Sequence, residues 1–238
     1  MSAEPTAKQP NAKPATTKAV TKRAIQLGIV LLIFMLSLFL SAGRLDWVWA
    51  WVYIGLYVGM IAINALLIDR ELIAERSEIG EGTKSWDRVL GGLAMLFVTP
   101  GALIVAGLDQ RFRWSEMVPA VQFVALACVV LGNGLTSWAM VSNKFFSTTV
   151  RIQKDREHTV VSKGPYQFVR HPGYLAFGIS GLATPLMLGS WWALIASLLG
   201  VCALAARTAL EDRTLREELI GYQEYAQKVR YRLLPGIW

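Results

Sequence analysis

Polar and ionisable residues concentrate in two stretches, Asn143–Tyr174 (NKFFSTTVRIQKDREHTVVSKGPYQFVRHPGY) and Arg207–Trp238 (RTALEDRTLREELIGYQEYAQKVRYRLLPGIW). In the first, Gly164-Pro165-Tyr166 is followed by Val169-Arg170-His171-Pro172-Gly173-Tyr174, directly before an apolar run. Pro172 has no N–H and biases His171 toward an extended backbone, so the imidazole is displayed at the start of a helix. Free backbone N–H groups at that start and the charge of Arg170 together favour an anion, a carboxylate or a phosphate. The same residues equally suit a juxtamembrane cation that holds lipid head groups beside a helix-initiating proline. In the second stretch Arg207 and Glu211 are four apart and can pair on one helical face. Glu211-Asp212 then brings two carboxylates toward Arg170 and His171. The plainer alternative is an amphipathic surface helix whose ion pairs are each worth under about 1 kcal/mol.

Other chemistries find little support. The only histidines are His158 and His171, and there are two cysteines in 238 residues. Neither a metal-ligand spacing nor a disulfide framework can be assembled from them, so no metal site is expected. Gly80-Glu81-Gly82 and Gly132-Asn133-Gly134 lack the strand-turn-helix setting of a dinucleotide fingerprint.

The elements that must position these residues are membrane helices. Hydrophobic residues make up 54% of the chain and charged ones 17%, and the mean hydropathy is +0.40, against about 25% charged in a soluble domain. Residues 1–24 hold four Lys, one Arg and three Pro with few large apolar side chains, which predicts a disordered basic tail. Ile25–Leu40 is a 16-residue apolar run. A basic segment before such a run also fits a signal peptide, but the length and the weak small-residue exit at Ser41-Ala42-Gly43 predict a retained helix. Leu45–Ile68, Val89–Ala106 and Met117–Val141 are further spans, each nearly uncharged. Tyr174–Leu188 and Trp191–Ala206, split by Gly189-Ser190, predict a short helical hairpin, and Arg207–Val229 an amphipathic helix. Val150, Ile152, Val160 and Val161 around Asp155-Arg156-Glu157 predict a short extended loop or hairpin. The expected fold is therefore all-α, a polytopic transmembrane bundle of five to six helices. A tail at 1–24, transmembrane helices at 25–142 and a functional region at 143–238 are its expected parts.

Charge placement gives an orientation. With these spans, 21 of the 24 Lys and Arg residues fall on one side, and only Arg44, Arg111 and Arg113 on the other. The positive-inside rule makes the richer side, which carries both termini, cytoplasmic. The net charge of +7 is thus accounted for by topology, and nucleic acid is not an expected partner. Trp47, Trp49, Trp51, Trp114, Trp191 and Trp192 gather at the opposite ends of the spans, as an interfacial belt would.

Gly164-Pro165-Tyr166, Arg170-His171-Pro172 with Tyr174, Arg207 with Glu211-Asp212 and Leu215, and Gly221-Tyr222, Tyr225, Val229-Arg230 and Pro235 together resemble the membrane-embedded isoprenylcysteine carboxyl methyltransferase family, related to the phospholipid N-methyltransferases. The resemblance covers Asn143–Trp238, about 40% of the chain. It implies S-adenosylmethionine as methyl donor, bound by the C-terminal segments, and a lipophilic, prenylcysteine-like acceptor entering from the bilayer. By resemblance, Tyr166, His171, Pro172, Tyr174, Glu211 and Asp212 would hold the cofactor, and Arg170, Arg207 and Glu211 would serve catalysis by orienting the acceptor or its charge. The chain departs from the family pattern at Ala176, where a glycine is usual, and at Asp212, the shorter member of a usual Glu-Glu pair. Two other classes compete: an NADPH-dependent membrane reductase of isoprenoid or sterol double bonds, and a non-catalytic lipid-binding protein. The acceptor atom, O, N or S, and the oligomeric state are left open by the residues.

Overall fold

A computed structural model describes residues 17–238. Its helices are α1 (Thr17–Ala42), α2 (Val48–Leu67), α3 (Arg70–Glu75), α4 (Ser85–Leu96), α5 (Ala102–Phe112), α6 (Pro119–Ser142), α7 (Pro172–Met187), α8 (Trp192–Glu218) and α9 (Tyr222–Lys228). No strand occurs among the described residues.

Five stretches are long and apolar enough to cross a bilayer: Thr17–Ala42, Val48–Leu67, Ser85–Phe112, Pro119–Ser142 and Trp192–Glu218. The protein is an integral, multi-pass membrane protein built as a helical bundle. Backbone groups in hydrocarbon must be satisfied within the segment, so an uncharged chain of this length has no other economical structure.

α1 starts earlier than the composition predicts. Residues 1–16 of the expected tail lie outside the described residues, but Thr17–Ala24 are helical. The basic end is tied down: Arg23 donates to Gln26 Oε1 (3.3 Å) and, across the fold, to the Arg76 carbonyl (3.1 Å), and Gln26 donates to the Ser77 carbonyl (3.0 Å). The apolar run therefore propagates two turns back into the charged sequence.

The third span is a composite. α4 and α5 are joined through a π turn at Phe97–Gly101 that contains Pro100. A proline removes one helical donor and collides with the preceding turn, and widening the helix absorbs both effects without ending the span.

α7 has 16 residues and at 1.5 Å each reaches about 24 Å, short of the roughly 30 Å hydrocarbon core. It packs chiefly on α6 and α8. The predicted hairpin and amphipathic helix merge differently from expectation: α8 runs unbroken from Trp192 to Glu218. Nothing between Ala206 and Arg207 stops a helix; the break comes at Leu219–Gly221, where Gly221 takes φ 81°. The α7–α8 turn is fixed by Asp109 at the end of α5, 2% exposed. It accepts from Ser115 N (2.7 Å), Ser115 Oγ (2.6 Å) and Ser190 Oγ (2.5 Å). Ser190 Oγ in turn accepts from Ala193 N (3.0 Å), capping α8.

Leu38, Leu103 and Met187 are fully buried at the centre of the bundle. A smaller cluster, Leu219, Tyr222, Tyr225 and Ala226 against Ile152 and Val160, docks α9 onto the loop between α6 and α7. That second cluster is what encloses the polar residues.

Candidate functional site

The 143–171 connection is irregular, with 3-10 turns at Lys154–Arg156 and Gly164–Gln167 in place of a β-hairpin. Side chains hold its shape. Asn143 Nδ2 donates to Tyr166 Oη (3.1 Å), and buried Gln153 donates through Nε2 to the Phe145 carbonyl (2.7 Å). Gly164 sits at φ +60°, and a Cβ there would lie 2.2 Å from Ser142 Oγ, so only glycine lets the loop pass the end of α6. Arg170 N and His171 N donate to the carbonyls of Tyr231 and Arg232, both at 3.0 Å. The C-terminal segment is thereby tied beside the start of α7. His171 is the N-cap of that helix, with Pro172 in its first turn, as the sequence predicts.

These elements surround an open-mouthed cavity. Tyr166, Arg170, His171, Pro172, Tyr174 and Glu211 all contribute to its lining, and Phe145, Phe146 and Val160 supply apolar wall. Tyr174 stacks on His171 with ring centres 5.8 Å apart and planes 3° from parallel. Glu211 Oε2 is buried and has no hydrogen-bond partner among the described residues. Burial pushes the Tyr166 and Tyr222 hydroxyls above their ordinary pKa, so both remain neutral donors.

Asp212, expected beside Glu211 on the cofactor, lies elsewhere. Consecutive helical residues diverge by about 100°, and Asp212, itself wholly buried, turns from the cavity into a cluster of donors. Arg170 grips it through Nε (2.6 Å) and Nη2 (3.1 Å). Tyr222 Oη donates at 3.0 Å, Arg232 Nε at 3.0 Å and Arg216 Nε at 3.1 Å. His171 Nε2 lies 3.3 Å from Oδ1. The structure places Asp212 behind the site, setting its furniture. Arg170 is placed differently too. Its Nη1 donates to the carbonyls of Val229 and Arg230, both at 2.7 Å, so most of its donors are already engaged within the fold.

Arg207 does not pair with Glu211 as the i,i+4 spacing predicts. Its Nε donates to Asp87 at 2.7 Å and its Nη2 to the Thr148 carbonyl at 2.9 Å. The guanidinium carbon lies 5.0 Å from the centre of the Tyr174 ring.

Sequence reasoning missed three residues here: Gln153, His158 and Asp87. His158 lines the cavity and packs on Phe145 at 4.5 Å between ring centres. Burial, followed by the nearby Arg151 and Arg156 charges, lowers its pKa to about 4, so it is a neutral imidazole at pH 7. Being one of only two histidines, and lying in the polar loop, was the available signal. For Asp87 there was none, because its partner is 120 residues away.

Comparison with known proteins bears on this site. Residues 125–217 match the model of the isoprenylcysteine carboxyl methyltransferase family. The Schizosaccharomyces pombe protein-S-isoprenylcysteine O-methyltransferase is 31% identical over 158 residues, 63% of this chain and 67% of the yeast protein. The chain belongs to the isoprenylcysteine carboxyl methyltransferase family. A probable protein-S-isoprenylcysteine O-methyltransferase of Oryza sativa subsp. japonica is 30% identical over 112 residues, 46% of this chain. The matched region spans 59% of that rice protein's length. Arabidopsis thaliana protein-S-isoprenylcysteine O-methyltransferase B is 30% identical over 107 residues. The family region runs from Ala125 in α6 through the cavity loop and α7 to Glu217 in α8. It thus contains Tyr166, His171, Tyr174, Arg207 and Glu211. Asp87, and the tail that packs on Arg170, lie outside it.

Proposed function

We propose that this protein transfers a methyl group from S-adenosylmethionine to the carboxylate of a lipophilic, prenylcysteine-like acceptor at the cytoplasmic face of a membrane. The observation that carries the reading is the Glu211 carboxylate, with a buried oxygen left unpartnered on the wall of a cavity whose lining combines aromatic and apolar groups with polar ones such as Asn143, Gln153 and Arg170. Leaving a buried acceptor unmade costs about 1–3 kcal/mol, which a ligand bearing hydroxyl or ammonium donors removes. S-adenosylmethionine carries a ribose diol, an ammonium and an apolar-faced adenine, so the donor set and the aromatic walls fit it.

When bound, that cofactor supplies a methyl group on a sulfonium, reactive toward an anionic oxygen. The residues of this chain do the rest. Glu211 accepts hydrogen bonds and contributes negative charge beside a cationic ligand. His171 and Tyr174, stacked, form one aromatic wall; Phe145 and Phe146 contribute another apolar surface. Asp212 acts only through its neighbours, by holding Arg170, Tyr222 and His171 in place. Arg207, fixed over Tyr174 just outside the cavity lining, contributes positive charge beside the site for an acceptor carboxylate. A carboxylate nucleophile is already ionised at neutral pH and needs no general base. Alignment and removal of water then supply most of the rate.

The lipophilic part of the acceptor has a place within the bundle. A second cavity lies between α2, the α4–α5 junction, α6 and α7 and is lined by Leu56, Met60, Val98, Val129 and Phe177 among others. Phe177 follows Tyr174 by three residues on α7, so the two cavities meet neighbouring positions on one helix face. The Lys- and Arg-rich helix ends, read by the positive-inside rule, support a cytoplasmic side for the first cavity and for both termini.

The test is binding and turnover with the detergent-purified protein. Micromolar S-adenosylmethionine binding, not displaced by NADPH, and formation of a base-labile methyl ester on an N-acetyl-S-prenylcysteine are expected. Binding of NADPH instead would move the protein to the reductase class, and binding of neither to the lipid-binding class. Cofactor binding with methylation only of an amine or a thiol would overturn the carboxylate.

A further inference from the structure

Asp87 is a carboxylate that the proposed reaction leaves unexplained. It lies in the first turn of α4 and is 2% exposed. Its Oδ1 accepts from Arg207 Nε at 2.7 Å and its Oδ2 from Val150 N at 2.9 Å. The segment before it is paired to the same part of the loop: Lys84 N donates to the Val150 carbonyl at 3.1 Å, and Thr83 Oγ1 to Thr149 Oγ1 at 3.3 Å. Three separate pieces of chain, the start of α4, the Thr148–Val150 stretch whose Thr149 and Val150 line the cavity, and α8, therefore meet at one buried ion pair.

That pair decides a competition. Arg207 has two carboxylates within its reach, Asp87 across the helix interface and Glu211 one turn further along α8. An i,i+4 Arg-Glu pair is weak on an exposed helix, but here both groups are largely shielded from water, where the attraction is stronger. In the structure Arg207 goes to Asp87, its side chain is 12% exposed, and Glu211 Oε2 is left without a partner on the cavity wall. Resting on the methyltransferase reading, we infer that Asp87 is a positioning residue which holds Arg207 over Tyr174 and away from Glu211, and so keeps the Glu211 carboxylate free for the cofactor. Asp87 touches neither cofactor nor acceptor; it acts through the guanidinium. The cofactor's affinity is then set in part by a residue on a helix outside the family-matched region.

The consequence is a rescue that a merely structural role would not produce. In Asp87→Asn the guanidinium loses its carboxylate and turns to Glu211, so S-adenosylmethionine binding, read by calorimetry on the purified full chain, weakens about tenfold, the scale of one charge-assisted hydrogen bond. Removing the competing cation in Asp87→Asn/Arg207→Gln returns cofactor affinity to within about threefold of wild type, although turnover stays low because the acceptor has lost Arg207. Arg207→Gln alone binds the cofactor as wild type does, and Asp87→Glu, which preserves the charge, binds it within about threefold. Wild-type affinity in Asp87→Asn, or a double variant as weak as the single, overturns the inference. Should Asp87→Asn not fold, loss of cofactor binding in the folded Arg207→Gln variant overturns it as well. Failure of the wild type to bind S-adenosylmethionine would instead refute the methyltransferase reading, so the two failures are distinguishable.

Discussion

Replacing Asp212 by Asn separates the two neighbouring carboxylates by what each does. The wild-type oxygens receive the two forked donors of Arg170 at 2.6 and 3.1 Å, the Tyr222 hydroxyl at 3.0 Å and the guanidinium groups of Arg232 and Arg216 at 3.0 and 3.1 Å. An amide keeps one acceptor oxygen and turns an NH2 toward donors. Arg232 and Arg216 are partly exposed and can take water instead, so their share is small. Arg170 cannot: its side chain is 2% exposed, and removing one partner of a buried ion pair costs about 3–5 kcal/mol. The expected loss in Asp212→Asn is therefore about 3–5 kcal/mol, most of it from Arg170. The midpoint of denaturant-induced unfolding in detergent micelles, followed by tryptophan fluorescence, reads it. The double variant Asp212→Asn/Arg170→Leu should lose less than the two single losses added together, because the stranded cation is gone. A loss below about 1 kcal/mol in Asp212→Asn, or strict additivity in the double variant, would refute the assignment of Asp212 to the scaffold.

Glu211→Gln should behave in the opposite way: with no internal partner on Oε2, stability changes by less than about 1 kcal/mol, while cofactor affinity falls about 5- to 150-fold, the loss of a charge-assisted hydrogen bond of about 1–3 kcal/mol. Calorimetric titration beside a thermal melt checks both halves. His158 adds a pH dependence. Its folded pKa of about 4 lies below the ordinary 6.5, so the stability it contributes is fully present above pH 6.5 and is lost as pH falls toward 4. Partial exposure limits that loss to about 1–2 kcal/mol, and His158→Gln should flatten the acid limb of the stability profile. Gly107→Leu should destabilise the bundle by at least about 2 kcal/mol, since even a Cβ there would lie 2.8 Å from the Leu38 carbonyl at the α1–α5 contact; retained expression and melting temperature would count against that close approach.

Much of the bundle is legible in the sequence because a bilayer leaves few choices. Uncharged runs of about 20 residues become helices wherever they fall, and Ile25–Leu40, Leu45–Ile68 and Met117–Val141 lie within or close to α1, α2 and α6. Ends are less legible, because polar contacts set them. Thr17–Ala24 joined α1 through Arg23 and Gln26 bonding to the Arg76 and Ser77 carbonyls, partners more than fifty residues away. Pro100 interrupts hydrogen bonding without ending its span, which hydropathy does not register. The boundary expected at Ala206–Arg207 reflected polarity alone. A change from apolar to charged side chains alters the medium around a helix without altering its backbone, and α8 continues to Glu218.

In the site, residue types were legible and partnerships were not. His171, Tyr174 and Glu211 stand on one cavity because Pro172 fixes the start of α7 and α8 returns antiparallel beside it, a geometry that a short hairpin enforces. The pairing of Arg207 with Glu211 was a local inference from spacing, and it failed because i,i+4 contacts are worth only about 0.2–0.5 kcal/mol. Against that, Asp87 offers a carboxylate with 2% exposure, where the same charge is attracted through a far less polar medium. A buried partner at long range therefore displaces an adjacent one at short range, and the adjacent group becomes available. The same logic divides Glu211 from Asp212: two acidic residues in succession cannot face the same way on a helix, so one can be saturated by the fold while its neighbour is left open to a ligand.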